Sequence, residues 1–500
     1  MKRALCIFLI AATLLTALPA LAAVQDIPNW YEVFVRSYQD SDGDGLGDLQ
    51  GLISRLDYIY DMGWRGIWLM PVMPSPSYHK YDVTDYCAID PEYGTLDDMR
   101  ALVAACHDRG ISLIVDLPLN HTSVQHPWFL AAAESLRTGA VEEPYISYYN
   151  FSREPADGSV SLEDSDWYYE ERFSGGGMPD LNLDCPAVLT EIEDILRFWL
   201  ADVGVDGFRL DAVTSFYTRQ DARNVEFLAR LKGMCEAIRP GSILIGECWA
   251  SLSVIAEYYG SGVDSFFLFP AAQADGFIVK SILARKSPAE KFARGYQAVL
   301  DAIPEGYLTP FLCNHDTGRT VGLVQGRSRP DLAKLAEGVM GTLGGGTFHY
   351  YGEEIGMVGS GDDPNKRLAM YWSEEDMTLQ PPGVTALEYP YPCLEAQQAD
   401  PASLLNYVKA VNHARLALPA ISQGENEFLL AEGSICLMHR FHPMGDCLIA
   451  INFSAKEVAA IPCDSWQIAF DLETGGDAAR LEDGNLILPP QAIAILTREE

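Results

Sequence analysis

The 500-residue sequence predicts an α/β protein built on a (β/α)8 barrel. Three observations point there. Short apolar strands alternate with longer amphipathic stretches from about Asn29 onward, in eight successive units. The strands are near-continuous hydrophobic runs, as expected when helices cover both faces of a parallel sheet. Carboxylates, histidines and an arginine gather at the carboxyl ends of those strands, where barrels of this kind carry their reacting groups.

The expected strands are Glu32–Arg36, Gly66–Met70, Ser112–Leu117, Gly204–Leu210, Ser242–Glu247, Val263–Phe269, Leu308–Asn314 and Gly346–Tyr351. Runs such as Leu96–Arg109, Ala187–Val203 and Asp221–Ile238 supply amphipathic helices between them. One connection, from Leu117 to Pro186, far exceeds the usual βα loop of about 2–6 residues. It is rich in Tyr, Asp, Ser and Gly, including Ser174-Gly175-Gly176-Gly177, and reads as a domain inserted on the rim. After the helix Leu404–Leu416 the pattern changes to short alternating strands: Phe428–Leu430, Ser434–Phe441, Asp446–Phe453, Leu486–Leu488 and Ala492–Leu496. The expected organisation is a barrel over 27–121 and 186–420, an inserted domain over 122–185 and a C-terminal antiparallel β-domain over 421–500.

The first residues read as targeting rather than fold. Lys2 and Arg3 precede the apolar run Ala4–Leu18, and Ala20-Leu21-Ala22 offers a small-residue cleavage site, so residues 1–22 are expected to be a signal peptide. The run is too short for a comfortable membrane span, and no later segment replaces it. A secreted or periplasmic protein without a membrane anchor is expected. Its oligomeric state is not encoded legibly. Loss of Cys6 with the signal leaves ten cysteines without metal-like spacing, and Cys248 and Cys313 fall in or beside core strands as buried thiols. The formal charge of −35 is spread along the chain, which excludes nucleic acid and anionic membranes as partners and favours a neutral substrate.

Reading only the strand ends gives a consistent set of chemical groups. The third strand ends Asp116-Leu-Pro-Leu-Asn120-His121, the fourth Arg209-Leu210-Asp211, the fifth Gly246-Glu247 and the seventh Asn314-His315-Asp316. Glycoside hydrolysis needs two carboxyls, one attacking the anomeric carbon and one protonating the leaving oxygen. Arg209 and Asp211 are two apart on a strand, so they share a face, and the guanidinium is expected to keep Asp211 ionised as a nucleophile. Glu247, crowded by carboxylates and beside Trp249, is expected to retain its proton as general acid. Asp316 is placed to bind sugar hydroxyls and stabilise an oxocarbenium-like transition state. A second pattern, Asp40-x-Asp42-x-Asp44-Gly45-Leu46-x-Asp48, has calcium-loop spacing. It is not an EF-hand, because Gly51 stands where that loop needs Glu. Ca2+ is the expected cofactor, with Leu46 contributing its carbonyl.

These strand ends resemble, in order and type, the signature regions of the α-amylase family of glycoside hydrolases: DLPLNH, GFRLD, GE and NHD. Met178-Pro-Asp-Leu-Asn182 and Gly352-Glu-Glu-Ile-Gly356 resemble two further family segments. The resemblance covers roughly residues 28–500. It implies a catalytic barrel, an inserted domain B and a C-terminal β-sandwich. It further implies Asp211 as nucleophile, Glu247 as acid/base and Asp316 as transition-state stabiliser. Arg209, His121 and His315 would contact the sugar, with Tyr81 as aromatic platform and His79 beside it.

Two departures stand out. The related segment commonly has Gly where Lys80 stands. A second family calcium site uses an Asn equivalent to Asn120 and a His shortly after the nucleophile, but the Lys-His pair is absent from Asp211-Ala-Val-Thr-Ser-Phe. The implied substrate is an α-glucan, starch or maltodextrin, cleaved at α-1,4 bonds with retention. The calcium loop and Asp363-Pro-Asn-Lys-Arg367 resemble the oligo-1,6-glucosidase and neopullulanase side of the family, so α-1,6 or exo action stays open. A glucanotransferase shares the same chemistry, and a non-catalytic carbohydrate-binding relative is the alternative of a different class.

Overall fold

Seven parallel strands surround the barrel axis in the computed structural model, which describes residues 29–140, 142–173, 175–304 and 307–498; the expected signal peptide lies outside them. The strands are β1 (Trp30–Val33), β2 (Gly66–Leu69), β3 (Ser112–Leu117), β4 (Gly207–Leu210), β5 (Ile243–Gly246), β6 (Ser265–Phe266) and β7 (Phe348–Tyr350). Their spatial order, β7-β1-β2-β3-β4-β5-β6, follows the chain around the barrel. Burial on both faces explains their mostly apolar character, which Glu32, Asp116 and Arg209 interrupt toward the carboxyl ends of β1, β3 and β4.

The expected strand Leu308–Asn314 is not a regular strand. Its segment fills the remaining gap through parallel bridges from Thr309 to Phe267 and from Phe311 to Phe348. Pro310 has no N–H to donate to a ladder, though its carbonyl accepts from Phe348 N–H at 2.9 Å. Other strands are shorter than expected for local reasons. Val35–Ser37 coil into a 3-10 turn, and Gly204, at φ +92°, caps the preceding helix and delays the start of β4. At β5, a Cβ on Gly246 would lie 2.5 Å from the Phe266 ring, so glycine lets β6 close against β5 just before Glu247.

Helices enclose the barrel where capping and periodicity coincide. Leu96–His107 begins with a capping box between Thr95 and Asp98 and buries Met99, Leu102, Val103 and Cys106. The stretch Ala187–Val203 divides into an α-helix, Pro186–Arg197, and a π-helical turn, Phe198–Val203. Between β3 and Pro186 lie the helix Pro127–Thr138 and a small three-stranded sheet of Phe151–Ser152, Tyr168–Glu170 and Ser159–Ser161. Leu181 N–H donates to Asn120 O at 2.9 Å and Thr122 N–H to Pro179 O at 3.1 Å. These bonds stitch the returning end of the insertion to the rim above β3.

The C-terminal region is antiparallel. A five-stranded sheet from Glu425 onward faces a three-stranded one formed by Ala459–Pro462, Asn485–Leu488 and Arg480–Glu482. A separate apolar core, including Leu448, Ile461, Leu486 and Leu496, lies between them. Sequence reading misses Ala459–Pro462, Trp466–Leu472 and Arg480–Glu482, which are short or mixed in polarity. Among the described residues all ten cysteines are free thiols, with Cys248 and Cys313 buried. No helix among them is long and apolar enough to cross a membrane.

Candidate active site

Parallel register assembles the charged cluster. Asp116 on β3 lies directly beside Arg209 on β4, and Leu210 beside Gly246 on β5, so the residues that follow each strand emerge together at the rim. The Arg209 guanidinium is fully buried and is the hub. Its Nη1 donates to Asp211 Oδ1 at 2.7 Å and to Asp116 at 3.0 Å, while Nη2 lies 3.0 Å from Glu247 Oε1. One planar cation thus brackets both expected catalytic carboxyls, a geometry that a lysine could not supply. The indole of Trp68 covers the guanidinium at 5.0 Å and donates to Asp116 Oδ2 at 3.3 Å.

Glu247 is held in its protonated form chiefly by burial, reinforced by the negative charges of Asp211 and Asp316. These outweigh Arg209, and its carboxyl is pushed up to about 8. The expected Trp249 wall is a different object: that ring is half exposed and stacks on Phe269 at 4.8 Å. Glu247 Oε2 accepts the Ala212 N–H at 2.9 Å. Ala212 is in the left-handed region at φ 43°, a conformation costing an alanine roughly 1–2 kcal/mol. That turn, immediately after Asp211, aims a backbone donor at Glu247, which places strain at the chemical centre.

His315 and Asp316 form a second charged unit. His315 Nδ1 is 2.5 Å from Glu32 Oε1, and its Nε2 lies 3.0 Å from Asp316 Oδ2 and 2.7 Å from the Tyr81 hydroxyl. Burial opposes charge on this imidazole, but Asp316 and Glu32 on either side raise it to about 10, so it is an imidazolium at neutral pH. Asp316 is driven far below the carboxylate range: burial works against this, and the charges of His315, Arg367 and Arg209 overcome it. Arg367 Nη2 donates to Asp316 Oδ1 at 2.8 Å.

Tyr81 stacks on His315 at 5.5 Å, and its hydroxyl donates to Asp116 Oδ2 at 2.9 Å. His121 Nε2 lies 3.2 Å from the Tyr81 carbonyl, and His79 Nδ1 accepts the Tyr81 N–H at 3.2 Å. Lys80 adopts φ 66°, the conformation for which glycine is the ordinary choice. Its buried ammonium is anchored to Asp90 at 2.8 Å and Glu92 at 2.7 Å, which offsets that conformational cost.

One cleft is lined by His79, Tyr81, His121, Asp211 and Asp316, together with Phe173 and Met178 from the insertion and Asp363 and Arg367. Sequence reading missed the site roles of Glu32, Phe173 and Arg367. Glu32 opened the expected strand Glu32–Arg36, at the end away from the reacting groups; the strand instead runs Trp30–Val33 and carries Glu32 near its carboxyl end. Phe173 and Arg367 lie on irregular segments, where no periodicity signals direction.

The acidic loop lies elsewhere, between β1 and the helix Leu49–Ser54. Carboxylate oxygens of Asp40, Asp42 and Asp48 lie within 4.8 Å of one another. Asp44 Oδ1 turns onto the Leu46 N–H at 2.7 Å, and Asp48 caps the following helix by accepting Gly51 N–H. Partial burial opposes ionisation of Asp40, but the backbone N–H groups of Gly43, Gly45 and Asp42 hold it below the usual carboxylate range. Three mutually close, ionisable hard-oxygen donors fit a calcium-sized cation. Where the second family calcium is implied, Asn120 Nδ2 donates to Asp180 Oδ1 at 2.9 Å, and Ser215 Oγ accepts from Arg172 Nε at 3.3 Å.

A barrel rim carrying two acids bracketed by one guanidinium, with a third carboxylate opposite, is the equipment of a glycoside hydrolase. Residues 32–424 match the alpha amylase catalytic domain, and the chain belongs to the α-amylase family of glycoside hydrolases. It is 36% identical over 439 residues to alpha-amylase 3 of Dictyoglomus thermophilum, covering 85% of this chain and 84% of that one. It is 32% identical over 475 residues to the trehalose synthase/amylase TreS of Mycobacterium tuberculosis, covering 81% and 78%. The solved structure of Eubacterium rectale Amy13B superposes with a TM-score of 0.91 at 39% identity, covering 95% of this chain and 96% of that one.

Proposed function

We propose that this enzyme is an exported, retaining α-glucan hydrolase that cleaves α-1,4 bonds of starch-derived chains by double displacement. The observation that carries the reading is the Arg209 bracket, which holds Asp211 and Glu247 on one guanidinium. That supports the short carboxyl spacing of retaining enzymes, about 5–5.5 Å. Asp211 attacks the anomeric carbon, and Glu247 donates its proton to the departing oxygen. The glycosyl–Asp211 ester is then hydrolysed by a water that Glu247, now the base, deprotonates. Asp316, kept anionic by Arg367 and His315, binds the sugar hydroxyls and favours the positively charged transition state. Tyr81 and His121 bear on the sugar from the cleft wall.

The proton on Glu247 sets a pH limit. Because a general acid works only while protonated, kcat/KM is expected to fall as pH rises through about 8, the range to which this carboxyl is raised. A pH–rate profile with no basic limb below pH 10 would count against Glu247 as the acid.

Product analysis on soluble starch, maltotriose, pullulan and isomaltose tests the bond preference. Oligosaccharides from starch support the α-1,4 reading, and turnover confined to isomaltose or pullulan overturns it. An exo-acting reading draws support from Asp363 and Arg367, paired at 3.4 Å beside Asp316 in the cleft lining. It is distinguished by release of a single product length from starch.

Asp40, Asp42 and Asp48, with Asp44 and the Leu46 carbonyl nearby in the loop, would hold Ca2+. The ion supplies the positive charge that lets like-charged carboxylates share a small volume. At a free ion concentration near 100 times the dissociation constant, such binding adds about 2.7 kcal/mol to folding stability. Chelator is therefore expected to lower the melting temperature. An unchanged melting curve in excess chelator would contradict a structural ion here.

A further inference from the structure

We infer that Asp376, Arg55 and Gln39 form a staple that positions Arg367, and through it Asp316, for catalysis. The inference rests on the reading of Asp316 as a participant in the reaction. Arg367 begins a segment, through Gln380, without helix or strand. Such a segment has no ladder of its own to fix its course, so its position comes from what it is bonded to.

Near its start the Tyr351 and Tyr389 hydroxyls donate to Leu368 O at 2.6 Å and Ala369 O at 2.9 Å, and bonds all along it run to the chain between Ser37 and Arg55. Ser37 Oγ donates to Arg367 O at 2.8 Å, and Met370 N–H donates to Ser37 O at 2.8 Å. Trp372 Nε1 donates to Tyr38 O at 2.6 Å. Further along, Gln39 Nε2 donates to Asp376 Oδ1 at 3.0 Å, and Arg55 donates to Asp376 Oδ2. Arg55 Nε also donates to Gln39 Oε1 at 2.7 Å, closing a three-residue ring. The same guanidinium lies 4.2 Å above the Trp372 ring, and Leu379 N–H reaches Gly45 O at 2.7 Å. The chain from Ser37 to Arg55 thus supplies fixed points along the whole segment from Arg367 to Leu379.

Magnitudes separate positioning from bulk stability. The Arg55 and Asp376 side chains are 29% and 42% exposed, and ion pairs so exposed contribute little to stability. The contacts that depend on the staple are buried: Arg367 is 2% exposed and its guanidinium sits 2.8 Å from Asp316. Misplacing such a group by about 1 Å can cost up to 100-fold in rate. Loss of the staple should therefore appear in catalysis well before it appears in melting.

The test is a double-mutant cycle on kcat and KM with Asp376→Ala and Arg367→Lys, with thermal midpoints and Asp316→Asn as control. Asp376→Ala is expected to lower kcat about tenfold with KM changed less than twofold and the midpoint nearly unmoved, and Asp376→Glu to restore part of the loss. In the Arg367→Lys background, where the guanidinium contact to Asp316 is already gone, Asp376→Ala is expected to add little. Unchanged kcat in Asp376→Ala, or losses that simply add, overturns the staple. If Arg367→Lys fails to fold, the kcat–KM split and Glu rescue of Asp376→Ala decide alone. Full activity of Asp316→Asn would instead sink the reading of Asp316 on which the inference rests.

Discussion

Asp211→Asn is expected to reduce kcat on starch by about 10^4- to 10^6-fold, equivalent to about 5–8 kcal/mol of activation free energy. The amide has the shape of the carboxyl, and its oxygen can still accept from Arg209 Nη1, now 2.7 Å from Asp211 Oδ1. What disappears is the nucleophilic anion. The folded structure should persist, with a melting temperature within a few degrees of the parent. Circular dichroism melting beside steady-state kinetics checks both halves. Substantial retained hydrolysis would move the nucleophile to another residue. Asp316 would then be the first alternative, since its carboxylate lines the same cleft.

Arg209→Met is expected to remove activity and also to destabilise the fold by about 3–5 kcal/mol near neutral pH. The guanidinium is fully buried among Asp116, Asp211 and Glu247, and it is the common counter-charge for all three. Without it, Asp116 and Glu247, already pushed up to about 7 and 8 chiefly by burial, would stay protonated in the native state to still higher pH. The unfolded chain ionises its carboxyls near pH 4, so parent and variant lose stability alike up to about pH 7; the extra loss in the variant opens above about 7 and 8, where the parent's Asp116 and Glu247 ionise and the variant's do not. The deficit relative to the parent should therefore be larger at about pH 9 than at about pH 6 in urea denaturation. An equal deficit at both values would mean lost packing over Trp68, not lost charge, dominates.

Much of this site was legible because its strongest signals are local. Arg209 and Asp211 share one strand face by simple alternation, and Glu247 follows a strand whose apolar run is unmistakable. The long connection after β3 declared an insertion by length alone. What was not legible depends on contacts between distant segments. Glu32 becomes a partner of His315 only through closure of the barrel, and Arg367 reaches Asp316 from an irregular loop. The expected strand Leu308–Asn314 overran because hydrophobicity marks a buried segment without saying whether Pro310 can join a ladder. Lys80 looked like a departure at a glycine position; its conformation is indeed left-handed, and Asp90 and Glu92 compensate for the missing glycine. Trp249 was expected against Glu247 on sequence proximity, yet β5 ends at Gly246, strand alternation does not extend past it, and the Trp249 ring lies on Phe269.

The most direct test of the central claim is the anomeric configuration of the first products released from starch, followed by NMR before mutarotation. Double displacement through Asp211, with Glu247 as acid and then base, requires initial products in the α configuration that equilibrate later toward β. Initial β products would mean a single displacement by water, and Asp211 could not then be the nucleophile.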